Sequence, residues 1–411
     1  MYIIQKMTNK PLDGVRVLDL THMLSGPYGA MLLADMGCDI IKVEPPFKGE
    51  GTRRLLENDP NYSHNGVGAY FYTLNRNKKS VAIDLKSEDG LKVFYDLVKV
   101  SDIVISNFSA GVTAKLKIDY SALSEINSKI ITCCVSGFGE DGPNFKRPAF
   151  DQIAQALGGG MSITGKNSSE HVRAGIPIGD LGGGMFAVMG IQAALIARGQ
   201  SGVGQHVDIS MLDCQISLLN YMATMYTMSG IIPEPIGNSH FVHVPYNTFA
   251  TKDYPIVIAA VGDQFWPRML KIFTHPDLQE EKYAKAFERQ KDKEKIEALL
   301  QDQLNKFNSD HWLKLLEAEQ IPCARVNNFE QALADEQIKF RNMVVDIPHP
   351  HGGSVKVPGN PIKLSRNNEE SFTHPPLLGE HTAEILSTLL GYDEEDIQKL
   401  KENGIIGIHH E

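Results

Sequence analysis

The residues most suggestive of chemistry lie in the stretch PIGDLGGGM, residues 177–185, where four glycines surround one carboxylate, that of Asp180. The apolar run that follows predicts a helix, and a carboxylate at a helix N-terminus is stabilised as an anion that can act as a nucleophile. Glycines such as Gly182 and Gly183 would let a substrate approach the backbone and would leave N–H groups for a developing oxyanion. Glycines inside the helix each cost roughly 1 kcal/mol against alanine. If the helix begins only at Met185, that cost vanishes and Asp180 is a simple cap.

The elements that must position Asp180 are predicted by an alternation of apolar strands and helical stretches in the first half of the chain. Strands are indicated at 15–20, 38–44, 79–85, 102–108 and 129–138, and helices between them at 27–37, 88–99 and 120–126. Strand, helix, strand units favour parallel pairing with right-handed crossovers. The sequence therefore predicts an α/β fold with a doubly wound, Rossmann-like large domain.

Such a sheet raises the hypothesis of a dinucleotide site. GFGEDG, residues 137–142, spells G-x-G-x-x-G after a predicted strand, and Glu44 ends the second strand, where an acid could meet a ribose. However, no glycine fingerprint lies between the first strand and its helix. GFGEDG runs into Pro143 and so opens a loop rather than a phosphate-binding helix, which disfavours nicotinamide or flavin binding.

The sequence changes character in its second half. Met and Leu residues recur at helical spacing over 204–230, which predicts helix there, and the proline-rich segment 231–255 predicts a linker. Two strand signals and charged amphipathic helices follow, one of them with Ser309 as its predicted N-cap, and GGSVKVPG predicts a hairpin. These patterns predict a smaller α+β domain. The predicted division is a large-domain segment at 1–225, a small domain at 226–330 and a third segment at 331–411.

Composition limits the class of function. The chain has 411 residues, enough for two domains, with 22% charged and 42% hydrophobic residues, as in ordinary globular proteins. A net charge of -10 argues against a nucleic-acid partner, which needs a basic face. The fourteen histidines show neither HExxH nor clustered Cys/His spacing, so no metal site is predicted.

Cysteine usage and hydropathy bear on the compartment. The five cysteines are odd in number and lack CxxC spacing, which is typical of reduced thiols in a cytoplasmic protein. The opening residues lack a secretory signal. The apolar run MFAVMGIQAALIA is shorter than a membrane span, so neither secretion nor a membrane is predicted.

Seven motifs, in order along nearly the whole chain, resemble the class III CoA-transferase family, which includes formyl-CoA transferase, carnitine CoA-transferase and alpha-methylacyl-CoA racemase. The motifs are PLDGVRVLDLTHMLSGPYGAMLLADMGCDIIKVEPP, LNRNKKSVAIDLKSEDG, SNFSAGVTAKL, GFGEDGP, GDLGGGM, GQHVDISMLD and PPLLGEHTAEIL. The resemblance implies that Asp180 attacks an acyl-CoA thioester, giving a mixed anhydride and then an aspartyl-CoA thioester. It implies coenzyme A thioester as substrate, with no tightly bound cofactor.

The resemblance also implies a set of CoA-binding residues. They are His22, Met23, Leu24, Lys78, Asn107, Phe108, Lys115 and Phe138. Lysines suit an anionic cofactor because they supply local positive charge. Lys115 replaces a family arginine, so it keeps the charge but loses bidentate phosphate contact. Phe138, Ser136 and Pro45 also depart from the family's residues, which leaves the nucleotide contacts open.

Racemases of this family are the main alternative. They use the same aspartate opposite a histidine, and this chain has Phe150 at the histidine's place, followed by Asp151. A phenyl ring cannot shuttle a proton, which favours transfer. A second alternative is a CoA-binding protein without catalysis, against which the intact Asp180 motif argues.

The acids exchanged are indicated only by one loop. His240, His243 and Tyr246 lie in a segment that resembles the family's substrate side, and they favour a succinyl-type donor with a small carboxylic acid as acceptor. The resemblance further implies an interlocked homodimer whose active site lies where domains of the two chains meet. It also implies that residues 331–411 return to the large domain.

Overall fold

The computed structural model describes residues 10–349, 351–367 and 370–409, which form two compact units. The first unit comprises the described chain through Gly160, Arg173–Ile231 and the segment from Lys339 onward. The second comprises Met161–Val172 and Ile232–Ile338. The chain thus passes between units a few residues after the boundaries expected at 225 and 330, and the sequence offered no sign of the excursion at Met161–Val172.

The strands, in chain order, are β1 Arg16–Asp19, β2 Asp39–Glu44, β3 Ser63–His64, β4 Val67–Gly68, β5 Lys78–Ile83, β6 Ile103–Ser106, β7 Ile131–Ser136, β8 His206–Ser210, β9 Tyr246–Phe249, β10 Ile256–Ala259, β11 Cys323–Arg325, β12 Val344–Pro348, β13 Ser354–Pro358 and β14 Ile406–Gly407. The α-helices are α1 Ser25–Asp35, α2 Ala69–Leu74, α3 Glu88–Lys99, α4 Val112–Lys115, α5 Tyr120–Ile126, α6 Asp151–Leu157, α7 Ile178–Ser201, α8 Met211–Leu219, α9 Tyr221–Ser229, α10 Trp266–Ile272, α11 Ala286–Lys291, α12 Lys293–Leu304, α13 Ser309–Ala318, α14 Phe329–Ala334, α15 Glu336–Phe340, α16 Thr382–Glu384 and α17 Glu394–Glu402.

The first unit is built on a seven-stranded sheet in the order β14-β5-β2-β1-β6-β7-β8. All neighbours pair in parallel except β14, which is antiparallel to β5. From β5 to β8 this is the strand order of doubly wound nucleotide-binding folds, and the order reverses between β1 and β6. The prediction of an α/β fold with a parallel-dominated sheet is confirmed.

Helices cover both faces of this sheet. Val17 of β1 packs with Leu33 of α1 and Ile191 of α7 in one buried apolar cluster. The next residue, Leu18, packs with Phe94 of α3 and Leu123 of α5 in another. Adjacent side chains of a strand point to opposite faces, so each face of β1 anchors its own helical layer. Helices α3 and α5 have the bounds predicted from the sequence.

Two predicted helical regions differ from the structure. The segment His206–Ser210 is the edge strand β8, paired with β7, and the helix expected over 204–230 begins only at Met211. The other is α7, which spans 24 residues from Ile178, so a start at Met185 is wrong and the glycines lie within the helix.

Helix α7 is also long and apolar enough to cross a membrane, by length and composition only. The expected apolar run was shorter because it left out the glycine-rich first turns. In the structure Ala187, Val188 and Ala194 of this helix are buried in the core on one face of the sheet. The helix therefore has a packing role in the first unit.

The second unit contains the antiparallel sheet β11-β10-β9 and the charged helices α10 to α13. Leu300 and Leu316 face a common core with the rings of Trp266 and Trp312. Ser309 is the first residue of α13 rather than its cap, which is Asn308. The Ser309 N–H donates to the Asp253 carboxylate at 2.7 Å. The segment GGSVKVPG does not form a hairpin by itself: it contains the strand β13, which pairs with the preceding strand β12 within the first unit.

Candidate active site

A cavity of about 790 Å³ lies in the first unit, where the order of the strands reverses. Its walls include the loop after β1, residues 22–25, and the loop after β6, residues 107–110. The segments 145–152 and 173–180 complete much of the lining. Ligands of open α/β sheets bind at this position, because the loops at the carboxyl ends of the strands diverge there.

Asp180 lines this cavity as the third residue of α7 and is half-buried. The N–H groups of Gly179 and Asp180 donate to Oδ1 of Asp151, at 2.8 and 3.3 Å. Asp151 begins α6, so a carboxylate from another helix caps α7. Burial, and secondarily the charge of Asp151, raises the pKa of Asp180 to about 6. The sequence predicts that the helix terminus favours the Asp180 anion, but these N–H donors serve Asp151 instead.

The glycines after Asp180 permit close packing between helices. A Cβ on Gly183 would lie 2.6 Å from Oγ of Ser25, and one on Gly184 would lie 2.5 Å from the Ser25 carbonyl oxygen. Gly182 is buried against Leu218 of α8. N–H groups beyond the first turn bond within the helix, so Gly182 and Gly183 are not placed as oxyanion donors. Their expected role is therefore corrected to packing.

Ser25 connects the contact between α1 and α7 to Asp180, the candidate nucleophile. Its side-chain hydroxyl donates to the main-chain carbonyl of Asp180 at 2.8 Å. Ser25 is the first residue of α1 and is buried, so this bond ties the start of α1 to the start of α7. A shift of α1 would consequently move the backbone that carries the Asp180 carboxylate.

The loops predicted to bind CoA meet in the cavity wall. His22, Met23, Leu24, Asn107 and Phe108 all line it. The His22 N–H donates to Oδ1 of Asn107 at 2.8 Å, and Nδ2 of Asn107 donates to the His22 carbonyl at 2.7 Å. Because its amide is committed to His22, Asn107 holds the two loops together. The His22 and Phe108 rings lie 4.8 Å apart, and burial lowers the pKa of His22.

Lys78 does not reach the cavity as expected for a phosphate contact. It is 3% exposed, and its Nζ donates to Asp19 at 2.9 Å, to Asn75 at 3.0 Å and to the Pro27 carbonyl at 3.2 Å. These bonds use its three protons. Burial lowers its pKa to about 8. Lys78 therefore stabilises the interior, where it neutralises the buried Asp19.

Two other expected CoA residues also lie outside the lining of this cavity. Lys115 is exposed at the end of α4, and Phe138 follows Gly137, which does line the cavity. The guanidinium of Arg147 lies 5.3 Å from the centre of the Phe138 ring. Arg147 itself lines the cavity. The positive charge beside Phe138 therefore comes from a residue that the sequence did not indicate.

Tyr70, Arg147 and Arg173 line the cavity without having been predicted. Burial, followed by the negative charge of Asp180, raises the pKa of the Tyr70 hydroxyl, which reports its nearness to that carboxylate. The sequence indicated Asp151 only as the residue that follows Phe150. A basic pair in KRP and an aromatic-rich AYFY segment were the available signals, but neither shows which way a side chain points.

His240, His243 and Tyr246 lie in the second unit and form a local ring cluster. The His240 ring is 4.6 Å from that of His243 and 5.2 Å from that of Tyr246. Nδ1 of His240 accepts backbone N–H groups from Val242 and His243. These contacts order the segment itself, and its substrate role stays a prediction. No metal-binding group of three or more His, Cys, Asp or Glu side chains occurs among residues 10–349, 351–367 and 370–409.

This chain is similar in sequence to known proteins over nearly its whole length. The family model described as CoA-transferase family III matches residues 12–382. The human succinyl-CoA:glutarate CoA-transferase is 33% identical over 404 residues, covering 97% of this chain and 91% of that protein. The succinyl-CoA:mesaconate CoA-transferase of Haloarcula hispanica is 36% identical over 384 residues, with 91% and 95% covered.

A solved structure agrees with the fold. The crystal structure of a CAIB/BAIF family protein from Brucella suis has a TM-score of 0.83 and 33% identity, and the match covers 93% of this chain and all of that one. The cavity, the Asp180 motif and these matches lead to one conclusion. The chain belongs to CoA-transferase family III and is an acyl-CoA:carboxylate CoA-transferase.

Proposed function

We propose that this enzyme transfers CoA from succinyl-CoA to a small dicarboxylic acid, with Asp180 as the nucleophile. The observation that carries the proposal is the position of Asp180, in the wall of a cavity at the carboxyl ends of the strands, beside the loop His22–Leu24. With a pKa of about 6, its carboxylate is mostly ionised at neutral pH, as a nucleophile must be.

The first half of the reaction loads CoA onto the enzyme. An oxygen of Asp180 attacks the thioester carbonyl carbon, the C–S bond breaks, and CoA leaves as a thiolate. This step forms a mixed anhydride between Asp180 and the succinyl group. The thiolate then attacks the side-chain carbonyl carbon of Asp180, and the anhydride C–O bond breaks to release succinate. The enzyme now holds CoA as an aspartyl thioester.

The second half reverses these steps with the acceptor acid. The acceptor carboxylate attacks the aspartyl thioester, and the thiolate leaves again. It then attacks the acyl carbon of the new anhydride, which gives the product thioester and restores the Asp180 carboxylate. No proton is transferred in either half. The cavity therefore needs no acid–base partner at Phe150, and this supports transfer over racemisation.

The proposed acids follow from the relatives. The human protein is named for succinyl-CoA and glutarate, the Haloarcula protein for succinyl-CoA and mesaconate, and an Agrobacterium fabrum protein, 34% identical over 385 residues, for succinate and glutarate. All these acids carry two carboxylates. We extend that substrate class to this chain, with the loops around His22 and Asn107 receiving the CoA moiety.

We also propose that the enzyme is a homodimer, as the resemblance implies, and that it is cytoplasmic, as its odd number of cysteines without CxxC spacing indicates. The first unit exposes large apolar side chains along α7 and on α9, which supports a partner surface. Met189 is 52% exposed, Ile196 67% and Met228 83%. A second copy would remove such surface from water. Light scattering of the purified protein tests this, and a monomeric mass would contradict it.

The test of the mechanism is a reaction followed by mass spectrometry. Wild-type enzyme is incubated with succinyl-CoA and glutarate in deuterated water, together with a 2-methylacyl-CoA. We expect glutaryl-CoA, and with succinyl-CoA alone a CoA adduct on the peptide that contains Asp180. Deuterium at the alpha-carbon without CoA exchange would instead support racemisation.

Asp180→Ala should abolish both the product and the adduct. Asp213→Ala is the matched control, because Asp213 is also the third residue of a helix, is exposed, and does not line the cavity. Its activity should be unchanged. Full activity of Asp180→Ala would refute the proposal.

A further inference from the structure

How the enzyme recognises a dicarboxylic acid is a question that rests on the proposed function. One carboxylate of such an acid reacts at Asp180, and the other must lose water inside the cavity. A carboxylate taken out of water is costly unless a cation or several hydrogen-bond donors replace its hydration. A positive group in the cavity wall, at some distance from Asp180, would offset this cost.

Two arginines supply positive charge in the described wall of the cavity, Arg147 and Arg173. Burial lowers the pKa of His22, the histidine of the described wall, and so favours its neutral ring. Asp151 and Asp180 contribute negative charge instead. The binding group for the remote carboxylate is therefore one of the two guanidinium groups.

Arg173 is tied to the nucleophile through a short chain of hydrogen bonds. The N–H of Ala174 donates to Oε1 of Gln155 at 2.9 Å, and Nε2 of Gln155 donates to Oδ2 of Asp151 at 2.8 Å. Oδ1 of the same carboxylate caps the start of α7 beside Asp180. Gln155 is only 2% exposed, so this link is held inside the unit. The backbone at Arg173 thus has a fixed position relative to Asp180.

The guanidinium of Arg173 is itself oriented. Its Nη1 donates to the carbonyls of Ala174 and Gly175, at 2.9 and 3.1 Å. Among the residues that the structure describes, Nε and Nη2 have no hydrogen-bond partner. These two atoms form the edge of a guanidinium that binds a carboxylate through two parallel hydrogen bonds. Arg147 differs, because it stacks on Phe138 in the loop after β7.

We propose that Arg173 binds the remote carboxylate of the dicarboxylic acid and makes the enzyme select dicarboxylates over monocarboxylates of the same length. The acid lies with its reacting carboxylate at Asp180 and its other carboxylate on Arg173. Arg173 does not touch the reacting atoms and acts on substrate affinity.

The test compares glutarate with pentanoate, which has five carbons and lacks the second carboxylate. Arg173→Ala should lower kcat/KM for glutarate by about 10- to 100-fold, mostly through KM, because a hydrogen-bonded charge pair is lost. For pentanoate the change should stay within about twofold. Arg173→Lys, which keeps the charge without the paired donors, should be intermediate. Inhibition constants of both acids are measured alongside the rates.

Arg147→Ala is the matched control, since it removes the other arginine of the same cavity. It should alter both acids by the same factor and leave their ratio unchanged. An Arg173→Ala enzyme with an unchanged ratio of rates and of inhibition constants would overturn the inference. Absence of Asp180-dependent transfer to both glutarate and pentanoate in wild type would instead overturn the proposed function.

Discussion

Replacing Gly184 by alanine tests why glycines follow Asp180, the proposed nucleophile. The added Cβ would lie 2.5 Å from the Ser25 carbonyl oxygen and 3.2 Å from the Gly29 nitrogen. Both are backbone atoms of α1, so neither can rotate away. The methyl group must push α1 and α7 apart. Gly199, in the last part of the same helix, has open space at its Cβ and provides a matched control.

Two opposing effects set the change in the free energy of unfolding caused by Gly184→Ala. Alanine gains roughly 1 kcal/mol over glycine in a helix. Overpacking a close contact costs about 1–3 kcal/mol, and here the upper end applies because the contacts are with backbone. For Gly184→Ala we expect a net loss of about 2 kcal/mol, which lowers Tm by about 3 °C in a unit of this size. For Gly199→Ala only the helix gain applies, so Tm should rise by about 1–2 °C.

The same substitution should impair catalysis. Ser25 donates to the main-chain carbonyl of Asp180, so a displaced Ser25 moves Asp180, the proposed nucleophile. A shift of about 1 Å at a reacting group can cost on the order of 100-fold in rate. In Gly184→Ala we expect kcat to fall by more than the unfolded fraction of the enzyme accounts for. In Gly199→Ala kcat should be unchanged.

Thermal unfolding by circular dichroism and initial rates of CoA transfer, both at pH 7.5, measure these effects. A Gly184→Ala protein as stable as Gly199→Ala would refute the packing explanation. An active, destabilised Gly184→Ala protein would refute the link from Ser25 to Asp180.

Further predictions concern charge. The kcat/KM for the donor should rise with pH through about 6 as Asp180 ionises, and Asp151→Asn, by removing a like charge, should move this limb to lower pH; an unmoved pH–rate profile would contradict the coupling. Because the pKa of Asp180 is raised on folding, its ionisation reduces stability as pH rises from about 4 through 6. Asp180→Asn should therefore raise the free energy of unfolding at pH 8 by about 1 kcal/mol, after allowance for solvent screening, and leave it unchanged at pH 4, as measured by denaturant unfolding. Lys78→Met removes the nearer cation of the buried Asp19, which keeps Lys42 at 3.9 Å and its hydrogen bonds from Thr21, and should cost about 3 kcal/mol in denaturant unfolding; a wild-type midpoint would contradict this role.

Much of the first unit could be predicted because its signals are local. Apolar strand runs and amphipathic helices such as Glu88–Lys99 are set by spacing within a few residues. Ser87 accepts the N–H of Gly90 at the start of that helix, a cap that a sequence can show. The strand His206–Ser210 was missed because it is followed directly by helix and is stabilised by pairing with Ile131–Ser136.

The candidate site could be predicted only in part. The motifs indicated His22, Asn107 and Asp180, and the structure brings them to one cavity. They did not indicate that Asp151 would cap the helix of Asp180, because that contact joins residues 29 apart in the chain. Nor did they indicate that Lys78 would turn inward, since a lysine's environment depends on what packs around it.

The sequence by itself determined the order of most elements of the first unit, the family and the presence of a carboxylate at the start of a helix. Each of these follows from residue types and their spacing. Only the tertiary structure decided what surrounds that carboxylate. The glycines serve the contact between α1 and α7, and a second carboxylate takes the helix N–H groups. Such outcomes depend on distances between segments far apart in the chain, and burial then sets the charge that each side chain can carry.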